Sequence, residues 1–133
     1  MTFSVTILGS NSAIPTLQRN PSAHLLNANE RLFLIDCAEG TQLQLRRYKI
    51  HFQRIKHVLI SHLHGDHYLG LTGLLFSMHL QRRESDLHVY SFKGLDEIAD
   101  RIKPTFLSHP GDGQRTDPQK PFGLLDPQAL QVL

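Results

Sequence analysis

His57-Val58-Leu59-Ile60-Ser61-His62-Leu63-His64-Gly65-Asp66-His67 is the stretch that decides how this sequence is read. Its first four residues form a short apolar run, the mark of a buried strand over 57–60. Three imidazoles and one carboxylate then fall between His62 and His67. In extended backbone, side chains two residues apart point to the same side, so His62 and His64 can grip one ion. Gly65 is expected to turn the chain sharply, letting Asp66 and His67 face a second ion. Imidazole nitrogen with carboxylate oxygen suits Zn²⁺, other first-row divalent ions being alternatives. Leu71, Leu74, Leu75 and Met78 follow at helical spacing and predict a helix over 68–82. The candidate ligands therefore sit between a strand's carboxyl end and a helix N-terminus, whose partial positive charge favours an anionic substrate. The competing reading is a His-rich surface loop. A purely structural zinc fits less well, because such sites are usually rich in thiolates and Cys37 is the sole cysteine.

Working outward, Phe3, Val5 and Ile7 alternate with polar neighbours and predict a half-buried strand, broken at Gly9-Ser10-Asn11-Ser12. Residues 13–22, with Pro15 and Pro21, read as a long loop. Strands are expected at 23–28 and 31–36 around an Asn27-Ala28-Asn29-Glu30 turn. A helix is expected from Glu39 to Tyr48, with Glu39 in its first turn. A strand at 87–92 and a helix at 94–102 complete the periodic part. Strand and helix signals interleave, which indicates an α/β class with a mixed, layered architecture.

The chain has 133 residues, 40% of them apolar and 20% charged, enough for one core-forming domain. Its net charge of +2 does not by itself imply a nucleic-acid partner. No apolar run approaches the length of a membrane span, and the first residues lack the pattern of a secretory signal. A single cysteine excludes an internal disulfide and suits the reducing cytoplasm; with no apolar run long enough to span a bilayer, no membrane partner is expected. From Pro104 onward five prolines and three glycines leave no periodic segment. The chain thus divides into 1–103, an ordered part, and 104–133, an irregular tail.

The sequence resembles ribonuclease Z, a tRNA 3′-processing endoribonuclease of the metallo-β-lactamase superfamily. His62-Leu63-His64-Gly65-Asp66-His67 carries the superfamily signature. Ile14-Pro15-Thr16, Arg19-Asn20-Pro21-Ser22, Ile35-Asp36-Cys37-Ala38-Glu39-Gly40-Thr41-Gln42 and Gly70-Leu71-Thr72-Gly73-Leu74-Leu75 narrow it to the family. The likeness runs over about residues 1–102. It implies a metallo-β-lactamase αββα sandwich, of which 1–103 is an amino-terminal half. It further implies two Zn²⁺ ions, one on His62 and His64 and one on Asp66 and His67, and a precursor tRNA whose 3′ trailer is removed. Asp66 would position or deprotonate the attacking water, Arg19 and Asn20 would contact substrate, and the assembly would be a homodimer.

Asp36 and Glu39 are read either as supports of the metal loop through hydrogen bonds or as caps of a helix end. Arg46, Arg47, Lys49, Arg54 and Lys56 accumulate without an intervening acid, as an RNA-contacting stripe or a solvated face would. The resemblance calls for three further ligands, a histidine, an aspartate and a histidine. His109, Asp112, Asp117 and Asp126 lack the flanking pattern to supply them. A frame-shifted or truncated amino-terminal portion would show such a change at Pro104. Two other readings remain open: another hydrolase of the superfamily, such as a phosphodiesterase or sulfatase-like enzyme, and a non-catalytic metal-binding remnant.

Overall fold

A computed structural model describes residues 1–99 and 101. Five strands, β1 (Phe3–Gly9), β2 (Ala23–Ala28), β3 (Arg31–Ile35), β4 (Ile55–Leu59) and β5 (His88–Tyr90), form one sheet in chain order. The first three pair antiparallel, and β3–β4 and β4–β5 pair parallel. Connection length accounts for the switch. Asn29 and Glu30, both at positive φ (51° and 64°), close the β2–β3 hairpin in two residues, the backbone of a type I′ turn. Parallel neighbours need a crossover. Helix α1 (Thr41–Arg47) supplies it between β3 and β4, and α2 (Gly65–Leu80) between β4 and β5.

Both crossovers bury their apolar residues against the same side of the sheet. Leu45 of α1 and Leu71, Leu74, Leu75 and Met78 of α2 share one core with Leu25, Leu34, Val58 and Val89. Leu95, in the helical residues 95–99, joins them. On the other side, Phe3, Val5 and Ile7 are 71%, 53% and 50% exposed. The half-buried strand expected from their alternation is therefore corrected: among the described residues, β1 buries Leu8 and Gly9 instead. The period of two is real, but the helices cover only the opposite side.

Several boundaries also shift. Helix α1 starts at Thr41 behind Gly40, whose φ of +82° makes it the turn residue, so exposed Glu39 lies outside the helix. Helix α2 begins at Gly65, not at 68, because Gly65, Asp66 and His67 form its first turn. Gly65 is accordingly an ordinary helical residue and not a turn. The third strand ends at Ile35, and β4 extends back to Ile55 through an irregularity opposite Leu32 and Phe33. The last strand shortens to His88–Tyr90. Residues 104–133 lie outside the described residues.

The ends of β3 and β4 set the position of α2. The Asp36 N–H donates to the Leu59 carbonyl at 2.8 Å, and the Cys37 N–H to the His67 carbonyl at 2.8 Å. The Gly70 N–H returns the bond to the Cys37 carbonyl at 2.9 Å. A β-carbon on Gly70 would lie 1.8 Å from the Ala38 carbonyl oxygen, so only glycine lets the helix approach this closely. Gly70→Ala is expected to destabilise the fold by about 3 kcal/mol or more, read from the midpoint of denaturant unfolding. Gly73→Ala, whose new atom would meet only the flexible Gln42 side chain at 3.0 Å, is expected to cost well under half of that.

Candidate metal centre

The histidine cluster is assembled by three elements: the extended backbone after β4, the first turn of α2, and the turn after β3. His64 keeps an extended conformation (φ −87°, ψ 143°), so His62 and His64 lie on one side with ring centroids 4.7 Å apart. The first turn of α2 then brings the His67 ring to 3.9 Å from that of His62. The rings of His62, His64 and His67 are thus neighbours.

The orientation of His67 is fixed from behind. Its Nδ1 lies 2.7 Å from Asp36 Oδ2, which makes Nδ1 the protonated nitrogen and leaves the Nε2 lone pair free. Asp36 sits at φ +58°, a left-handed conformation that aspartate tolerates better than most residues. It is only 5% exposed. Burial pushes its carboxyl upward, but the bonds from His67, from the Ser61 N–H and hydroxyl, and from the Ser22 hydroxyl outweigh this and hold it below the ordinary aspartate value. These contacts measure 2.8 Å to the Ser61 N–H, 3.0 Å to its hydroxyl and 2.9 Å to Ser22. A buried carboxylate with this many donors is fully satisfied.

Asp66 is placed by the long loop before β2. The Ala13 N–H donates to Asp66 Oδ2 at 3.0 Å, from a tight turn in which Ala13 has φ +62° and the Ile14 N–H bonds the Ser12 carbonyl. Desolvation raises the Asp66 carboxyl, yet the Ala13 bond and the neighbouring imidazoles lower it further, so it is ionised at neutral pH. Oδ2 also lies 3.4 Å from His67 Nε2. Two ligands at about 2.0–2.1 Å from a tetrahedral zinc stand about 3.3 Å apart, so this pair is spaced as adjacent donors on one ion. The chemistry and spacing of the donors fit a divalent cation of the zinc type. Among the described residues, however, no three or more His, Cys, Asp or Glu side chains converge on a single point. Asp66 and His67 stand close enough to share an ion, while the His62 ring lies nearer to His67 (3.9 Å) than to His64 (4.7 Å).

Of the remaining sequence candidates, Asp36 is the one the structure ties directly to the cluster, as a support of His67 and not as a helix cap. Glu39 makes no hydrogen bond to the cluster among the described residues, and Gly40 stands at the helix cap in its place. The exposed Arg19 closes a small turn, its N–H on the Thr16 hydroxyl and its carbonyl accepting from the Thr16 N–H. Asn20 accepts a bond from the Asn11 N–H on its carbonyl and packs its side chain against Gly40. Both lie in the loop that reaches Asp66 through Ala13. The basic run is divided: Arg54 pairs with Glu30 at 3.0 Å and Arg47 bonds Gln44, while Arg46, Lys49 and Lys56 are exposed. Cys37 is fully buried and its thiol is pushed up to about 12, which makes it inert.

Sequence reasoning missed Ser22, Ser61 and the Ala13 N–H. Ser61 adjoins the cluster and could have been suspected as a donor. A backbone N–H delivered from residue 13 leaves no trace in sequence.

Asp36→Asn is expected to keep the fold, since asparagine also accepts a positive φ, but to weaken zinc binding about 10- to 100-fold, measured by competition with a chromophoric chelator. Unchanged affinity with an intact circular dichroism spectrum would show that Asp36 does not orient His67.

Comparison with known proteins identifies the family and the fold. The family described as "Anti-Pycsar protein Apyc1" matches residues 3–103. Ribonuclease Z of Bacteroides thetaiotaomicron is 49% identical over 96 residues, covering 72% of this chain and 30% of that protein. Ribonuclease Z of Phocaeicola vulgatus is 37% identical over 133 residues, covering 98% of this chain and 43% of that protein. This second alignment extends past the boundary read at Pro104. Human tRNase Z, short form, superposes with a TM-score of 0.71 and 38% identity over 76% of this chain and 39% of that one. The chain therefore spans between 30% and 43% of the length of these relatives. It belongs to the family described as Anti-Pycsar protein Apyc1, it has the metallo-β-lactamase fold, and in sequence it resembles ribonuclease Z.

Proposed function

We propose that this chain carries the metal-gripping part of a zinc-dependent endoribonuclease that removes the 3′ trailer of precursor tRNA. The observation that supports this most is the pairing of Asp66 Oδ2 with His67 Nε2 at 3.4 Å, braced by Asp36, in a chain up to 49% identical to ribonuclease Z. His62 and His64 would hold one zinc, and Asp66 and His67 a second. When bound, the ions supply Lewis acidity at the phosphoryl oxygens and lower the pKa of water to near neutrality. Asp66, ionised and pinned by the Ala13 N–H, is the proposed catalytic carboxylate that orients the attacking water and takes its proton. Arg19 and Asn20, in the loop that carries Ala13, are proposed to meet the RNA backbone, with exposed Arg46, Lys49 and Lys56 adding long-range attraction. The cytoplasm is the proposed compartment. Among the described residues no helix is long and apolar enough to cross a membrane.

Two donors per ion fall short of the three or four that zinc takes from a protein. The others are proposed to come from the part of the relatives' length that this chain does not span. A second reading, a different hydrolase of the same fold, is favoured by the family's name, which differs from that of the sequence relatives.

The decisive comparison uses a chimera in which this chain's residues 1–99 replace their counterpart in the B. thetaiotaomicron ribonuclease Z. Zinc-dependent cleavage of a 3′-extended tRNA is expected, with His64→Ala and Asp66→Ala each lowering the rate at least about 100-fold. Hydrolysis of a simple phosphodiester with the tRNA left intact would establish the second reading. A folded chimera that binds zinc but cleaves neither would identify a non-catalytic binder.

A further inference from the structure

Ser61 lies between β4 and the first candidate ligand, and its hydroxyl has three polar neighbours. Asp36 Oδ2 stands at 3.0 Å, His62 Nδ1 at 3.1 Å and His67 Nδ1 at 3.4 Å. A hydroxyl has one proton to give and lone pairs to receive with, so one neighbour takes its hydrogen and another can supply one. Asp36 is the strongest acceptor of the three, because a hydrogen bond to a carboxylate is about twice as strong as one between neutral groups. The Ser61 hydroxyl therefore donates to Asp36, and its lone pairs are left for His62 Nδ1. His67 Nδ1 reaches Asp36 directly at 2.7 Å and does not need the serine.

We propose that Ser61 is a positioning residue that passes the hold of Asp36 on to His62: His62 Nδ1–H donates to Ser61 Oγ, the Ser61 hydroxyl donates to Asp36, and the His62 Nε2 lone pair is left for metal. This role rests on the metal centre proposed above and deepens it. Each member gives one hydrogen to the next, and the carboxylate, with none to give, ends the line. The reverse order would put the Ser61 hydrogen on His62 Nδ1 and the ring proton on Nε2. Ser61 Oγ and Asp36 Oδ2 would then face each other at 3.0 Å with no hydrogen between them, an arrangement that costs free energy.

One buried carboxylate thereby sets the tautomer of two rings whose centroids are 3.9 Å apart, one on each of the proposed ions. Both rings turn Nδ1 toward the Ser61–Asp36 pair and carry Nε2 on the other edge, where His67 Nε2 meets Asp66. A neutral imidazole takes a metal only through its unprotonated nitrogen, so a His62 ring of the other tautomer would have to be reset before it could bind.

Long-range proton–nitrogen NMR correlation of the metal-free full chain at about pH 8, where imidazoles are neutral, tests this. Zinc affinity is read in parallel by competition with a chromophoric chelator. Wild-type His62 is expected to carry its proton on Nδ1. Ser61→Ala should move it to Nε2 while His67 stays protonated at Nδ1, and zinc affinity should fall about 10-fold. Ser61→Thr, which keeps the hydroxyl, should restore both readings. Asp36→Asn should shift both rings to Nε2–H, because an amide nitrogen at the Oδ2 position donates where the carboxylate accepted. A serine that served the fold alone would leave the tautomers as they are. A wild-type His62 protonated at Nε2 overturns the proposal, whether or not the variants fold. So does a folded Ser61→Ala protein whose His62 keeps its Nδ1 proton. Expected tautomers in a chain that takes up no zinc would overturn the metal centre and this role with it, whereas failure of the chimera to cut tRNA would overturn the proposed activity alone.

Discussion

The buried carboxylate of Asp36 is the contact on which the rest of the site depends. It sits where β3 ends, in a left-handed backbone conformation, and holds donors from three directions: Ser22 before β2, Ser61 after β4 and His67 on α2. An isolated buried charge would be unstable, and removing any one donor would leave part of that charge unsatisfied. Sheet, helix and loop are therefore fixed relative to one another by the same group that selects the His67 tautomer. Fold and ligand orientation are one problem with one solution.

Backbone hydrogen bonds reinforce the arrangement. The reciprocal bonds between Cys37 and residues 67 and 70 carry α2 directly over the end of β3, and Gly70 is small enough to permit it. The first turn of the helix consequently lies at the cluster, its partial positive charge adding to the attraction for an anionic substrate. On the outer side, the loop from residue 10 to 22 bends through Ala13 to bond Asp66, so both carboxylates near the cluster are immobilised by donors outside it.

How far the sequence could be read follows from the range of each interaction. Local periodicity disclosed the five strands, both helices and the alternation of β1, because these patterns are written in neighbouring residues. The six positions from His62 to His67 disclosed the candidate ligands as neighbours in sequence. The start of α2 was placed too late, because Gly65 and Gly70 lower helix propensity while tertiary contacts to Cys37 stabilise the first turn. The exposure of Phe3, Val5 and Ile7 was invisible for a different reason: alternation tells which residues share a side, not whether another layer covers it. Asp36 could be suspected and Glu39 equally so. Only the positive φ at Asp36, which aims its carboxylate back at α2, separates the two.

The most direct measurement of the central claim is the protonation of the His67 ring, read by long-range proton–nitrogen NMR correlation before and after zinc is added. The account predicts the Nδ1–H tautomer in the metal-free protein, held by Asp36, and on addition of zinc a shift of Nε2 without loss of the Nδ1 proton. A metal-free His67 protonated at Nε2, or a ring whose nitrogens do not respond to zinc while the protein stays folded, would contradict it.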